Sequence, residues 1–361
     1  MKPRGSILKL AGFLLASFSI VIVFQNCGKG FQSSNNGSST VLPVLPEENA
    51  DLNNAECIPN NSSLLSQTCF SNLTAGSFDN FKTYTPQYPL YSDGATKIRW
   101  VYLPEGTQIN TNDPDNWVYP QGTILWKEFS LENKRIETRR LVKTGSGEGP
   151  GSWSTSVFLW LEDGTDAEEW TTGMNPPADM RFAINNLTQT YSAASPNSCN
   201  SCHAGARDYA LGFTYLQLSV ANGSTDAFAM NSLAQANLLT TAPAQMDRIA
   251  GMNNEQRVFG YLHGNCAHCH NPMGAAWTDS TTIPDLNLKH SSGTTDLTEE
   301  NGYITTVGVT GFNSMVRIDQ GVVETNSSIY TRMQNGQMPS RGVSIPDAAA
   351  ISEIGNWISS F

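Results

Sequence analysis

The sequence predicts an α+β protein: an N-terminal all-β, sandwich-like domain followed by a mostly α-helical region. Three observations predict it. Between about Phe81 and Leu161, short segments alternate apolar and polar residues with period two and are bounded by Gly, Pro, Asn and Asp, as half-buried strands are. After Tyr191 the texture changes to stretches rich in Ala, Leu and Gln with helical spacing. Most of the eight tryptophans fall in the first region, which has neither Cys nor His, whereas every histidine lies in the second.

The strands are taken in order. Ile98, Trp100 and Tyr102 share one face of residues 96–103, and further strands are expected at 123–129, 135–142 and 156–161, with Asp163-Gly164 turning the chain after the last. Together they define a β domain at 77–190, read as a sandwich. Its aromatic residues are assigned to core packing ahead of a sugar-stacking platform. Helices are expected within 204–220 and on through about Gln245, at 255–266 and 327–334, and at 346–359, where proline sits in the first turn. Ile351, Ile354, Trp357 and Ile358 share a face of the last one. Met315 is placed in a strand. The helical region divides into a first segment at 191–252 and a second at 253–361.

The N-terminus reads as an export signal. Lys2, Arg4 and Lys9 precede an apolar run at 10–24, and polar sequence follows. That run is short for a membrane span and ends just before Cys27, the first cysteine. Residues 1–26 resemble a bacterial lipoprotein signal with Cys27 as the lipidated residue, although Phe24-Gln25-Asn26 depart from the usual small residues. An uncleaved anchor and ordinary cleavage are the alternatives. Each of them puts the bulk of the chain in the periplasm or cell envelope. Residues 27–76 contain Ser33-Ser34-Asn35-Asn36-Gly37-Ser38-Ser39-Thr40, Pro43 and Pro46, a composition that builds a flexible tether and no core.

The chain has 7 Cys and 5 His. Four of the cysteines and three of the histidines make two copies of one pattern, Cys199-Asn200-Ser201-Cys202-His203 and Cys266-Ala267-His268-Cys269-His270. In CxxCH two thiols three positions apart lie on one side of a helical turn and reach the two vinyl groups of a haem, while the next histidine takes the iron. Zinc also binds CxxC pairs but does not require a histidine after each, and a redox disulfide needs one pair and no histidine. The expectation is two covalently bound haem c groups, with His203 and His270 as iron ligands. Setting aside Cys27 leaves Cys57 and Cys69, an even remainder in an exported chain. They are expected to form a disulfide, with two free thiols as the alternative.

A net charge of −11, a pI near 4.9 and 15% charged residues argue against nucleic acid as a partner. An acidic surface steers a basic redox partner, or simply keeps the protein soluble.

Residues 253–361 resemble a small class I type cytochrome c domain. Phe259-Gly260-Tyr261 leads into Cys266, Gln337-Met338-Pro339 matches the loop that supplies the sixth ligand, and the Trp357 helix matches the C-terminal helix that crosses the first. The resemblance implies Met338 opposite His270. Met315 and Met333 compete, and Met273 is too near His270 to reach the opposite face. For the first haem the sixth ligand stays open among Met180, Met230, Met246, Met252, His263 and His290. His263 is also a candidate to lean toward the other haem or to act as a hydrogen-bonded structural histidine, and His268 is expected to face outward.

More broadly, residues 88–361 resemble a family of uncharacterised exported bacterial proteins that join a β domain to haem c motifs. Members are sometimes fused to, or encoded near, sugar-dehydrogenase-like propellers that use pyrroloquinoline quinone. The segments that carry this are Tyr88-Pro89-Leu90-Tyr91-Ser92-Asp93, Lys97-Ile98-Arg99-Trp100-Val101-Tyr102-Leu103-Pro104-Glu105-Gly106, Arg135-Ile136-Glu137-Thr138-Arg139, Leu211-Gly212 after the first motif, Tyr261-Leu262-His263-Gly264-Asn265 before the second, and Met338-Pro339. The resemblance implies electron transfer beside an exported oxidase or dehydrogenase; with the lipid anchor expected at Cys27, the leading expectation is a membrane-tethered carrier between a periplasmic dehydrogenase and a terminal acceptor or another cytochrome. One alternative is a dihaem peroxidase, for which Glu255 and Arg257 are the acid–base candidates if they are not merely solvated helix charges. A second is a carbohydrate- or partner-binding module with accessory haems.

Overall fold

A computed structural model describes residues 63–70, 81–171, 181–182, 191–219, 229–277, 285–322, 324–340 and 342–361. All of these belong to one unit, Ala50–Phe361. The signal, Cys27, Cys57 and most of the tether lie outside the described residues.

Six strands form one antiparallel meander in chain order: β1 (Phe81–Thr83), β2 (Thr96–Tyr102), β3 (Ile124–Leu131), β4 (Lys134–Lys143), β5 (Trp153–Trp160) and β6 (Ala167–Glu169). The expected strands are present, each within a few residues of its expected ends. Glu132 and Asn133, both with positive φ, make the two-residue turn from β3 to β4, the backbone that matches strand twist in a tight hairpin. The Asp163-Gly164 turn forms as expected, with Asp163 Oδ1 accepting from Thr165 N at 3.0 Å. A separate pair, β7 (Arg181–Phe182) and β8 (Tyr191–Ser192), completes the β structure among the described residues.

Among the described residues no second sheet of comparable size covers this one, as the expected sandwich would require. Successive residues of its strands are buried, Trp100 and Tyr102 on one face and Val101 and Leu103 on the other, so both faces are covered, which in sequence looks like a two-sheet core. On the first face Leu65 and Phe70 pack against Trp100, Trp126 and Phe158. On the second, Val101, Leu125, Leu141 and Trp153 pack against Tyr209, Phe213, Leu218, Met230, Leu233 and Leu239. The cover is therefore chain from the 191–252 segment, which shares its core with the sheet. Cys69, at the edge of the first face, is disulfide-bonded.

The described part of that covering segment is less helical than its composition predicts. Among the described residues its α-helices are α1 (Asn200–His203), α2 (Tyr215–Leu218) and α3 (Met230–Gln235). Between α1 and α2 the chain turns through positive φ at Tyr209 and Gly212, because docking onto the sheet overrides local propensity.

The C-terminal region contains α4 (Asn253–Asn265), α5 (Asn301–Ile304), α6 (Ser328–Gln334) and α7 (Ala348–Ile358). Asp347 caps α7, its carboxylate accepting from Ala350 N at 3.1 Å. The expected face of α7 is the buried one: Ile351, Ile354, Trp357 and Ile358 are each 8% exposed or less. Trp357 meets Phe259 of α4 edge to face, ring centres 5.2 Å apart. Met315 lies outside any strand, 37% exposed, after a short turn at Phe312–Ser314. No described helix is long and apolar enough to cross a membrane.

Residues 88–93 join the sheet to this region. Tyr91 N donates to Asn265 Oδ1 at 2.6 Å, and Asp93 Oδ1 accepts from Ser344 N and Ile345 N at 2.8 and 2.9 Å. Gly260 and Gly264 of α4 leave room for Tyr88, where a β-carbon would come within 2.1 Å of its ring and 2.4 Å of its carbonyl.

Candidate functional site

The first CxxCH is a single helical turn. His203 N donates to Cys199 O at 3.0 Å and Cys202 N to the same oxygen at 3.2 Å, which brings Cys199, Cys202 and His203 onto the wall of one cavity. His203 Nδ1 lies 2.7 Å from Tyr209 O. A carbonyl can only accept, so Nδ1 carries the proton and Nε2 keeps its lone pair. Burial pushes the imidazole down to about 4, so the ring is neutral at physiological pH. This is the state a metal-ligating histidine needs, with its second nitrogen held by a carbonyl.

Tyr209 is held in turn by its neighbour. Asp208, side chain fully buried, pairs with the equally buried Lys143 of β4. It also accepts from Tyr119 N at 2.8 Å and Trp153 Nε1 at 3.1 Å. The residue that orients His203 is thus set by the sheet.

The second CxxCH follows α4 directly. Cys266 N donates to Leu262 O at 2.9 Å and His270 N to Cys266 O at 2.9 Å. Cys266 packs on the core of α4 and α7, and burial raises its thiol to about 12. His270 is pushed down by burial and then by its neighbours His268, Arg317 and Arg332. Arg332 O also accepts from Met338 N at 3.1 Å, so Met338, half-buried, is tied to the residue whose charge acts on His270. Pro339 beside it lines the cavity.

The two motifs touch. One ligand atom each from Cys202, His268 and Cys269 lie within 4.8 Å of one another, and Cys269 Sγ is 3.6 Å from Ser201 O. His268 therefore faces the first motif, contrary to the expectation that it points outward. Hydrogen bonding with Cys269, reinforced by hydrogen bonding and attraction from His268, outweighs the opposing effect of burial and leaves the Cys202 thiol far below the ordinary range. Asn271 Nδ2 donates to Gly205 O at 3.1 Å and to Ala267 O at 2.6 Å. A β-carbon on Gly205 would lie 1.9 Å from His268 O. Gly205→Ala is accordingly expected to push the motifs apart and destabilise the fold by about 1–3 kcal/mol, read as a lower urea midpoint with unchanged slope.

The open candidates sort by position. His290 is pinned by two carboxylates, Nδ1 on Glu300 at 2.9 Å and Nε2 on Asp247 at 3.2 Å, and leaves no lone pair for iron. His263 Nδ1 accepts from His290 N at 3.0 Å, so its proton sits on Nε2. Burial pushes that ring down to about 3, and it lines the cavity as a neutral donor. Met230 is buried in the core that covers the sheet, where Met246 packs beside it, and Met333 is buried against α4 and α7. Met252 and Met273 are exposed, at 70% and 49%. Met180 lies outside the described residues. Glu255 caps its own helix, accepting from Met252 N at 2.6 Å, and Arg257 pairs with Glu353. Neither lines the cavity.

Arg99, Lys127, Lys289, Asp208 and Tyr209 also belong to this centre and were not among the sequence candidates. For Arg99 and Lys127 a signal exists: they alternate with Val101 and Leu125 on the same strand faces. Charge at inward positions is the mark of a lined cavity.

No protein-family model, no curated protein and no solved structure matches this chain.

Proposed function

We propose that this chain is an exported dihaem c-type cytochrome, lipid-tethered through Cys27, that carries electrons between a periplasmic dehydrogenase and a terminal acceptor or another cytochrome. One haem is held by Cys199, Cys202 and His203, the other by Cys266, Cys269 and His270 with Met338 opposite. The observation that carries the reading is the pair of complete CxxCH motifs, Cys199–His203 and Cys266–His270, in one chain. Haem bound there supplies one-electron chemistry at iron. The chain's own part is to attach, orient and couple the two groups.

The residues fit that role. His203 presents a neutral Nε2 with Nδ1 anchored, and the thiols of Cys199 and Cys202 line the same cavity. The packing of α4 on α7, with Met338 on the loop between α6 and α7, supports a cytochrome c-like arrangement at residues 253–361. A thioether opposite histidine raises the potential and closes the sixth position.

The test is the intact mass and optical spectrum of full-length protein matured with haem. Two covalent haems are expected, with one lost in Cys199→Ala and one in Cys266→Ala. Met338→Ala is expected to remove the sulfur-to-iron absorption at the red end and to lower one of two potentials. Protein that holds zinc on the Cys202–His268–Cys269 group, and no haem, would falsify the reading.

A further inference from the structure

The sheet face that bounds the cavity carries more buried positive charge than the fold neutralises. Arg99 of β2 stands directly opposite Lys127 of β3, which stands opposite Arg139 of β4. All three line the cavity with Cys199, Cys202 and His203. Like charges facing each other across strands are destabilising. Arg139 is offset by the buried carboxylate of Glu137, 3.1 Å from its Nε, which also accepts from Tyr191 Oη at 2.6 Å. Glu137 also attracts Lys127, but among the described residues neither Lys127 nor Arg99 has a carboxylate within hydrogen-bond reach. Arg99 is 6% exposed. Among the described residues neither side chain makes a hydrogen bond or an ion pair. Lys127 Nζ instead lies over the Phe129 ring, 4.9 Å from its centre. Burial, and then Arg99 and Arg139, drive its ammonium well below the usual lysine range. Two adjacent positive side chains, Arg99 buried and Lys127 half-buried, that open to a cavity are costly unless an anion completes them.

We propose that Arg99 and Lys127 form a carboxylate clamp in this cavity. The planar guanidinium takes a carboxylate through two parallel N–H groups, and the ammonium beside it adds a compact charge. Two sources supply that chemistry: the propionates of a haem carried on Cys199 and Cys202, or a small free dicarboxylate. The first source rests on the dihaem reading, whereas the clamp itself does not.

The experiment compares the full chain with an Arg99→Gln, Lys127→Gln variant, by intact mass, redox titration and thermal unfolding with and without succinate. With propionates in the clamp, both proteins carry two haems by mass, and succinate leaves the wild type unchanged. The variant shows one of its two potentials lowered and the other unmoved, because removing nearby positive charge favours the oxidised iron. With a free dicarboxylate as the ligand, succinate raises the wild-type unfolding temperature in a saturable way and the variant loses that response. Unchanged potentials together with no succinate response in the wild type would overturn the clamp. Absence of haem in the mass spectrum overturns the dihaem reading separately, and the succinate response then decides the clamp alone. If the double variant does not fold, Lys127→Met carries the same comparisons, since an apolar side chain there removes an unpaired charge.

Discussion

Asp208→Ala is expected to destabilise the fold by about 3–5 kcal/mol, the range for stripping one partner from a buried ion pair. The carboxylate is the only negative group paired with Lys143 among the described residues, and both side chains are fully buried. Its loss strands an ammonium inside the sheet and unbinds Trp153 Nε1 and Tyr119 N. It also frees the adjoining Tyr209, whose carbonyl holds the His203 ring. Urea unfolding measures the first effect. The second would appear as an altered spectrum of the haem proposed at the first motif, with the one proposed at the second unaffected. Adding Lys143→Met to Asp208→Ala is expected to recover much of the stability, because removing both charges costs far less than removing one. If the double variant were no more stable than Asp208→Ala, the ion pair would not be the source of the loss.

His290→Gln is expected to cost about 3 kcal/mol at pH 6, and the cost should shrink as the pH rises. The imidazole, 1% exposed, lies between Asp247 and Glu300. Burial works against the charged ring, but hydrogen bonds and attraction from the two carboxylates outweigh it and raise the pKa to about 9. An unfolded histidine titrates near 6.5. The folded value is the higher one, so the imidazolium's contribution is complete below about pH 6.5 and disappears as the pH climbs through about 9. Unfolding free energies of wild type and variant should therefore converge between pH 6 and pH 9.5. Parallel profiles would mean that His290 does not change its charge over that interval. The substitution leaves the backbone N–H that sets the tautomer of His263 in place, so the cavity side of this pair should be unaffected.

Much of the architecture can be read from local pattern. Period two locates β2 through β5, and helical spacing locates α4 and α7 with the buried face of α7 correct to the residue. These signals are legible because a strand or helix that buries one side repeats its apolar residues at the period of its own backbone. The 191–252 segment failed the same test. Its Ala, Leu and Gln content promises helix, but its described residues hold only short helical turns, because Asp208, Phe213 and Leu218 are fixed by the sheet.

The residues proposed to carry chemistry are legible in the chain alone, as two CxxCH motifs whose spacing and trailing histidines are complete within five positions each. Their arrangement follows from the fold. The contact of Cys202 with Cys269 joins residues far apart in the chain, and no periodicity announces it. The tautomers of His203 and His263 depend on which backbone group reaches each ring, a carbonyl in one case and an N–H in the other. Arg99 and Lys127 look like solvated strand charges until the chain after Tyr191 folds over them and turns their side of the sheet into a cavity wall. Residue type is written locally, whereas burial, partner and protonation state belong to the whole fold.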